Sequence, residues 1–191
     1  MDAIATYKGT LLNHLETVYR PGERDVAIAL VEALGCTITD TGFASDRGET
    51  FLAVHPNADD RDRESNVFYM SPMTAEQEAI ETRLAHHVAA DASLRDGVSA
   101  YRGKAHGRPF GIPHFALRYP SVDAVEAVAA RLERLAAAGL GERLHLRIFR
   151  PEEADSARGR LIQGFVHQDV IVAGSFMLGQ LIELQTKDTR G

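Results

Sequence analysis

The stretch "HLETVYRPGERDVAIALVEALG" (14–35) returns one hundred positions later as "HFALRYPSVDAVEAVAARLERL" (114–135). Each copy begins with a histidine in a strand-like run, breaks at a proline and passes into an amphipathic helix. In the first copy, "GTLLNHLETVY" (9–19) reads as the strand and Pro21-Gly22 as its stop. Apolar residues at 26, 27, 30, 31 and 34 then form one helical stripe, with Gly35 placed to end it. In the second copy "IPHFALRY" (112–119) is the strand and Ser121 a natural N-cap. The helix that follows carries apolar residues at 122, 125, 128, 132 and 135. From each histidine to the leucine near its helix end is 20 residues in one copy and 21 in the other.

Working outward, "CTITDTGF" (36–43), "TFLAVHP" (50–56) and "NVFYMSPM" (66–73) read as three strands after the first helix. "RLHLRIFRP" (143–151), "LIQGFVHQDVIVAG" (161–174) and "GQLIELQT" (179–186) read as three after the second, with a polar hairpin over "RPEEADSARGR" (150–160). The order β-α-β-β-β therefore occurs twice, at 9–73 and 110–187, within a single α+β domain spanning 1–191. Between the modules, Thr74 and Gln77 have the form of a capping box opening a helix through "EAIETRLAHHVAA" (78–90). The remainder of the 74–109 connector, "DASLRDGVSAYRGKAHGRPFG" (91–111), is rich in glycine and charge and reads as helix remnant plus loop.

The 191 residues carry 21 Lys and Arg against 27 Asp and Glu, a formal charge of −6. A net-acidic chain without a basic face is a poor partner for nucleic acid or an anionic membrane. Lone Cys36 cannot form an internal disulfide, and no apolar run reaches membrane-spanning length, so a soluble cytoplasmic protein is expected. No GxGxxG, Walker loop or GxSxG occurs, which disfavours nucleotide binding and a hydrolase elbow. "DDRDRESN" (59–66) has oxygens at EF-hand spacing, but Ser65 and Ser71 stand where Gly and Glu are required; it reads as a solvated loop.

Of the polar residues inside strands, Glu183 in "LIEL" is the most informative. An unpaired carboxylate in an apolar run is costly to bury, so it faces solvent or a cation. Alternation sends Leu181, Glu183 and Gln185 to one face and Ile182 and Leu184 to the other, against the helices. His55 reads as a rim or turn residue, His86-His87 as solvated, and His106 and His145 have no partner pattern.

With "LNHLE", "PHFAL" and "GQLIELQ" in their places in a doubled βαβββ order, the chain resembles the vicinal oxygen chelate superfamily. That group includes glyoxalase I, extradiol ring-cleaving dioxygenases, methylmalonyl-CoA epimerase and the bleomycin- and fosfomycin-resistance proteins. The resemblance covers about 9–73 and 110–187. It implies two modules curled into a cupped, partly open mixed-sheet barrel with helices outside, and metal ligands on the first and last strands of each module. Carried onto this chain, those ligands are His14, His114 and Glu183, with Tyr69 at the fourth position. Two imidazoles and a carboxylate make a facial triad, which favours Fe(II) and also admits Zn, Mn or Ni. Tyr69 and His167 are then candidates for flanking catalytic groups. The implied substrate is a small apolar or aromatic molecule with neighbouring oxygens, in a cavity lined by Phe51, Phe68, Phe115 and Phe165.

The implied reaction is dioxygenase-like ring cleavage, with glyoxalase- or epimerase-type lyase or isomerase chemistry as the alternative. A metal-free, drug-sequestering binding protein on the same fold is a further alternative. The segment "AGSFMLGQLIELQ" departs from the extradiol pattern, having Phe176 and Gly179 where a Tyr and a Pro characteristically stand. Members of the superfamily often dimerise, and the exposed connector is a surface on which this chain would do so.

Overall fold

The computed structural model describes residues 14–61, 63, 65–150 and 161–187. The start of the first expected strand (9–13) and most of the polar hairpin lie outside the described residues. Module one runs β1 (His14–Tyr19), α1 (Arg24–Ala33), β2 (Thr37–Ala44), β3 (Thr50–His55) and β4 (Val67–Pro72). The connector forms α2 (Ala75–Ala90) and α3 (Ala92–Gly107). Module two runs β5 (His114–Arg118), α4 (Val122–Leu135), β6 (Leu144–Phe149), β7 (Leu161–Gln168), β8 (Ile171–Val172) and β9 (Gln180–Lys187).

The sheets repeat one another. In the first the order is β2-β3-β4-β1-β8, and in the second β5-β9-β7-β6. In both, the module's first strand lies parallel to its last, and the remaining pairings within the module are antiparallel. The result is an α+β fold of two mixed sheets, not closed into a barrel. One expected strand, 161–174, is in fact two. After β7 the chain turns at Asp169-Val170, where the Gln168 side chain accepts from the Val170 and Ile171 amides and donates to the Ile171 carbonyl. It then lays β8 antiparallel on β1, in the other module's sheet.

The helical stripes are where the sequence puts them. Ala27, Leu30, Val31 and Leu34 from α1 share one core with Val122, Val125, Val128 and Leu132 from α4. Burying one leucine such as Leu30 contributes about 1.5–3 kcal/mol. Gly35 closes α1 in the left-handed region (φ +88), as a C′ glycine does. Ser121 caps α4 by accepting from the Ala124 amide, and Thr74 caps α2 by accepting from the Gln77 amide.

Three expectations are corrected. Residues 92–107 form a full helix, not a remnant: Asp91 caps it through the Ser93 and Leu94 amides, and the packing of Tyr101 and Ala105 against Phe149, Phe165 and Leu181 adds what the cap alone does not supply against the cost of Gly97 and Gly103. His55 is not on a rim: it is fully buried, with both ring nitrogens lacking a hydrogen-bond partner, and burial lowers its pKa. Phe68 and Phe115 do not line a cavity but meet each other in the core, ring centroids 5.8 Å apart.

The modules are latched by Arg143, just before β6. Its Nη1 and Nη2 grip the Glu23 carboxylate at 3.0 and 2.8 Å, and its Nε donates to Asp169 Oδ1 at 2.7 Å. Glu23 precedes α1 and Asp169 follows β7, so one guanidinium ties three segments, and the two carboxylates raise its pKa. Arg143→Ala is expected to lower stability by about 1–3 kcal/mol, read as a shift in urea midpoint with unchanged slope. No helix among the described residues is long and apolar enough to cross a membrane.

Candidate functional site

Sheet pairing fixes which side chains share a face, because directly opposed residues project the same way. His114 pairs with Leu181 and Ala116 with Glu183. Glu183 pairs with Phe165, Leu181 with His167 and Gln185 with Gln163. His145 pairs with His167. One face of the second sheet therefore carries His114, Glu183, Gln163, Gln185, Phe165, His167 and His145. Ile182, Leu184, Ile162 and Val166 occupy the opposite face, in the core with α4.

Glu183 is only 5% exposed, yet it is richly partnered. Its Oε1 accepts from Gln163 Nε2 at 2.6 Å and Gln185 Nε2 at 3.1 Å, and its Oε2 lies 3.1 Å from His114 Nε2. The other nitrogen of His114 decides what that last contact is. His114 Nδ1 is 2.8 Å from the Ile112 carbonyl, which only accepts, so Nδ1 carries the hydrogen. In the neutral imidazole Nε2 is then a bare lone pair, facing a carboxylate oxygen. The Oε1 of Gln163 adds a third acceptor, buried and without a hydrogen-bond partner. Such a set of lone pairs is a favourable place for a cation: a proton on the imidazole or a metal ion. For ligand bonds of about 2.1 Å, two ligands at a right angle on one divalent ion stand about 3 Å apart, close to the separation here.

Phe165 lies edge-on to the His114 ring at 5.8 Å and walls the site on the β7 side. On the β5 side Ala116, opposite Glu183, is exposed and leaves an approach. Beyond Phe165, the end of α3 covers the same face: Ala105, Tyr101, Phe110 and Ile112 pack with Phe149, Phe165 and Leu181. The connector and the segment after it thus roof part of this face.

Module one repeats the arrangement with one exchange. Tyr69 pairs with Glu16, two residues after His14, as Glu183 pairs with Ala116, two residues after His114. Tyr69 therefore occupies the position matching Glu183, and the carboxylate of this half sits on β1 instead. His14 Nε2 is 3.8 Å from Glu16 Oε2, and its ring lies edge-on to Tyr69 at 5.4 Å. The Tyr69 hydroxyl donates to the Arg63 carbonyl. These residues, with Phe43, Phe51 and Thr41, line a cavity of about 310 Å³ that includes neither His114 nor Glu183. The structure thus brings His114 and Glu183 together, and His14 and Tyr69 together. Among the described residues no three His, Cys, Asp or Glu side chains stand in a metal-holding arrangement. Glu16 is not among the residues the resemblance implies; its period-two spacing from His14 places it on the same face.

His167 does not touch Glu183. Its Nδ1 is 3.1 Å from His106 Nε2 and its Nε2 is 2.9 Å from the Leu178 carbonyl. Burial lowers the pKa of His106 to about 4, helped by His145, His167 and Arg102, and burial also lowers that of His167. Because these imidazoles take up protons more readily when unfolded, stability is lost as pH falls from about 6.5 to about 4. The His106 contribution, screened by solvent, is expected to be about 1–2 kcal/mol. His106→Gln should flatten that part of the pH–stability profile measured by denaturant titration.

Comparison with protein families, curated proteins and solved structures finds no match to this chain.

Proposed function

We propose that the chain is a mononuclear divalent-metal enzyme of the vicinal oxygen chelate type. His114 and Glu183 are the ligand pair of this reading; His14, the third ligand the resemblance implies, lies in a separate cavity and would have to be brought across the space between the two sheets to join them. One observation carries this reading: a His114 nitrogen with its partner already committed to Ile112 faces the buried Glu183 carboxylate at 3.1 Å. The donors, an imidazole and a carboxylate, suit Fe(II) first and Zn, Mn or Ni as well. An ion held there supplies Lewis-acid stabilisation of oxyanion charge on a substrate chelating through neighbouring oxygens.

The chain's own residues prepare the site. Gln163 and Gln185 hold Glu183 Oε1 so that Oε2 points at His114, and the Ile112 carbonyl fixes the imidazole ring. Phe165 excludes water from one side, and Ala116 leaves the other open to a small apolar or aromatic substrate. Tyr69, the flanking acid or base the resemblance implies, would act only if its cavity joined the His114–Glu183 pair, because its hydroxyl lies beside His14 and donates to the Arg63 carbonyl. Ring-cleaving dioxygenation is the first reaction to test, and glyoxalase- or epimerase-type isomerisation the second.

A different reading is favoured by the complete hydrogen bonding of Glu183 with Gln163, Gln185 and a protonated His114. There the cation is the proton, and the fold is a metal-free small-molecule binder. Elemental analysis of anaerobically purified protein, followed by turnover assays with catechols and 2-oxo-aldehydes, separates the two. The enzyme reading expects about one transition-metal ion per chain, lost together with turnover in His114→Ala. Metal-free protein that binds an aromatic ligand and cannot be reconstituted with any of the four ions overturns it.

A further inference from the structure

On the other side of Phe165, three histidines from three elements meet where α3 crosses β6 and β7. His106 of α3 stacks on His145 of β6 (centroids 4.2 Å, 23° between planes) and meets His167 of β7 nearly edge-on at 4.9 Å. They line a cavity of about 700 Å³ with Arg102, Glu142, Arg143 and Asp169.

The protonation of His167 follows from its partners. The Leu178 carbonyl accepts from Nε2, so Nε2 carries the hydrogen and Nδ1 is a lone-pair nitrogen that accepts from His106 Nε2–H, 3.1 Å away, a hydrogen that a bound ion would replace. The turn that fixes the ring is built for it. Gly179 has φ +72, and a Cβ there would stand 2.7 Å from His167 Nε2. A backbone carbonyl orienting an imidazole by its far nitrogen is the usual outer support of a histidine metal ligand. The separation of the two facing nitrogens matches neighbouring ligands on one ion with bonds of about 2.0–2.1 Å. Asp169 is committed to Arg143 and Arg20 and is not a ligand. The cavity walls also carry Arg102 and Arg143 against Glu142 and Asp169.

We propose that His106 Nε2 and His167 Nδ1 form a second site, binding one borderline divalent transition-metal ion of the copper, nickel or zinc class, whose remaining coordination positions open into the cavity. His145 is a positioning residue, holding the His106 ring by stacking. The site is independent of the His114–Glu183 reading.

The test uses the metal-depleted full chain carrying His114→Ala and Glu183→Gln, so that failure of the first site does not obscure the second. Titration with Cu²⁺ followed by electron paramagnetic resonance should give one ion per chain with coupling to two imidazole nitrogens. Adding His106→Gln or His167→Gln should weaken binding by about 10–100-fold. His145→Phe, which keeps the stack, and the His86→Gln/His87→Gln pair should leave it intact. In the unsubstituted chain, where no variant needs to fold, Zn²⁺ should shift the nitrogen resonances of His106 Nε2 and His167 Nδ1. Unchanged binding in His106→Gln, loss in the His86/His87 variant or in His145→Phe, or unshifted resonances would each overturn the proposal.

Discussion

Glu183→Gln is expected to abolish tight binding of a divalent ion at the His114 site, lowering affinity by about 100-fold or more, while the chain stays folded. The amide is nearly isosteric with the carboxylate and still accepts from Gln163 or Gln185, so packing against Phe165 survives. What it removes is the negative charge that makes the bare His114 nitrogen and its neighbour a cation site. Isothermal titration with Zn²⁺ and Mn²⁺, alongside a urea melt of each metal-free protein, measures both quantities. If the cation is a proton, the outcome differs: metal affinity is absent from the start, and Glu183→Gln costs only about 1 kcal/mol, because the His114 ring is solvent-accessible and can give up its proton.

Gly179→Ala carries the second large effect. The residue has φ +72, where an L side chain costs about 1–2 kcal/mol, and its methyl would stand 2.7–2.9 Å from the His167 ring and the Gln168 carbonyl. The ring or the turn must yield, adding about 1–3 kcal/mol of overpacking. A total loss of about 2–5 kcal/mol is expected in chemical denaturation, with the Nε2–H of His167 losing its Leu178 partner. A near-neutral variant, within 0.5 kcal/mol or so, would mean that the turn is not clamped on the ring.

The doubled strand-helix unit was legible because both signals in it are local. Helical stripes at 26–34 and 122–135 and proline stops after each strand depend only on neighbours a few residues away. The same alternation put Glu183 and Gln185 on one face and Ile182 and Leu184 on the other, as the sheet pairing has them. What stayed hidden was non-local. Nothing near His106 or His145 in sequence announces that α3 folds back over β6 and β7 to bring them to His167. His55 carries strand-end neighbours that read as surface, and only the packing of β2 and β3 buries it. The break at Asp169-Val170 turns on Gln168 folding its amide onto its own following backbone, which residue type alone does not reveal. Glu16, two residues after His14, is legible by strand alternation alone as a carboxylate on the same face.

The two residues of β8 have a consequence larger than their length. Ile171 and Val172, supplied by the second repeat, occupy the flank of β1 that would otherwise expose Val18 and Tyr19. A fragment cut before residue 110 would keep its own four-stranded unit but show that flank unpaired, ready to recruit a strand from any neighbouring chain. The two halves, however alike in plan, are thus expected to be poor candidates for separate expression, and to melt together as one cooperative unit.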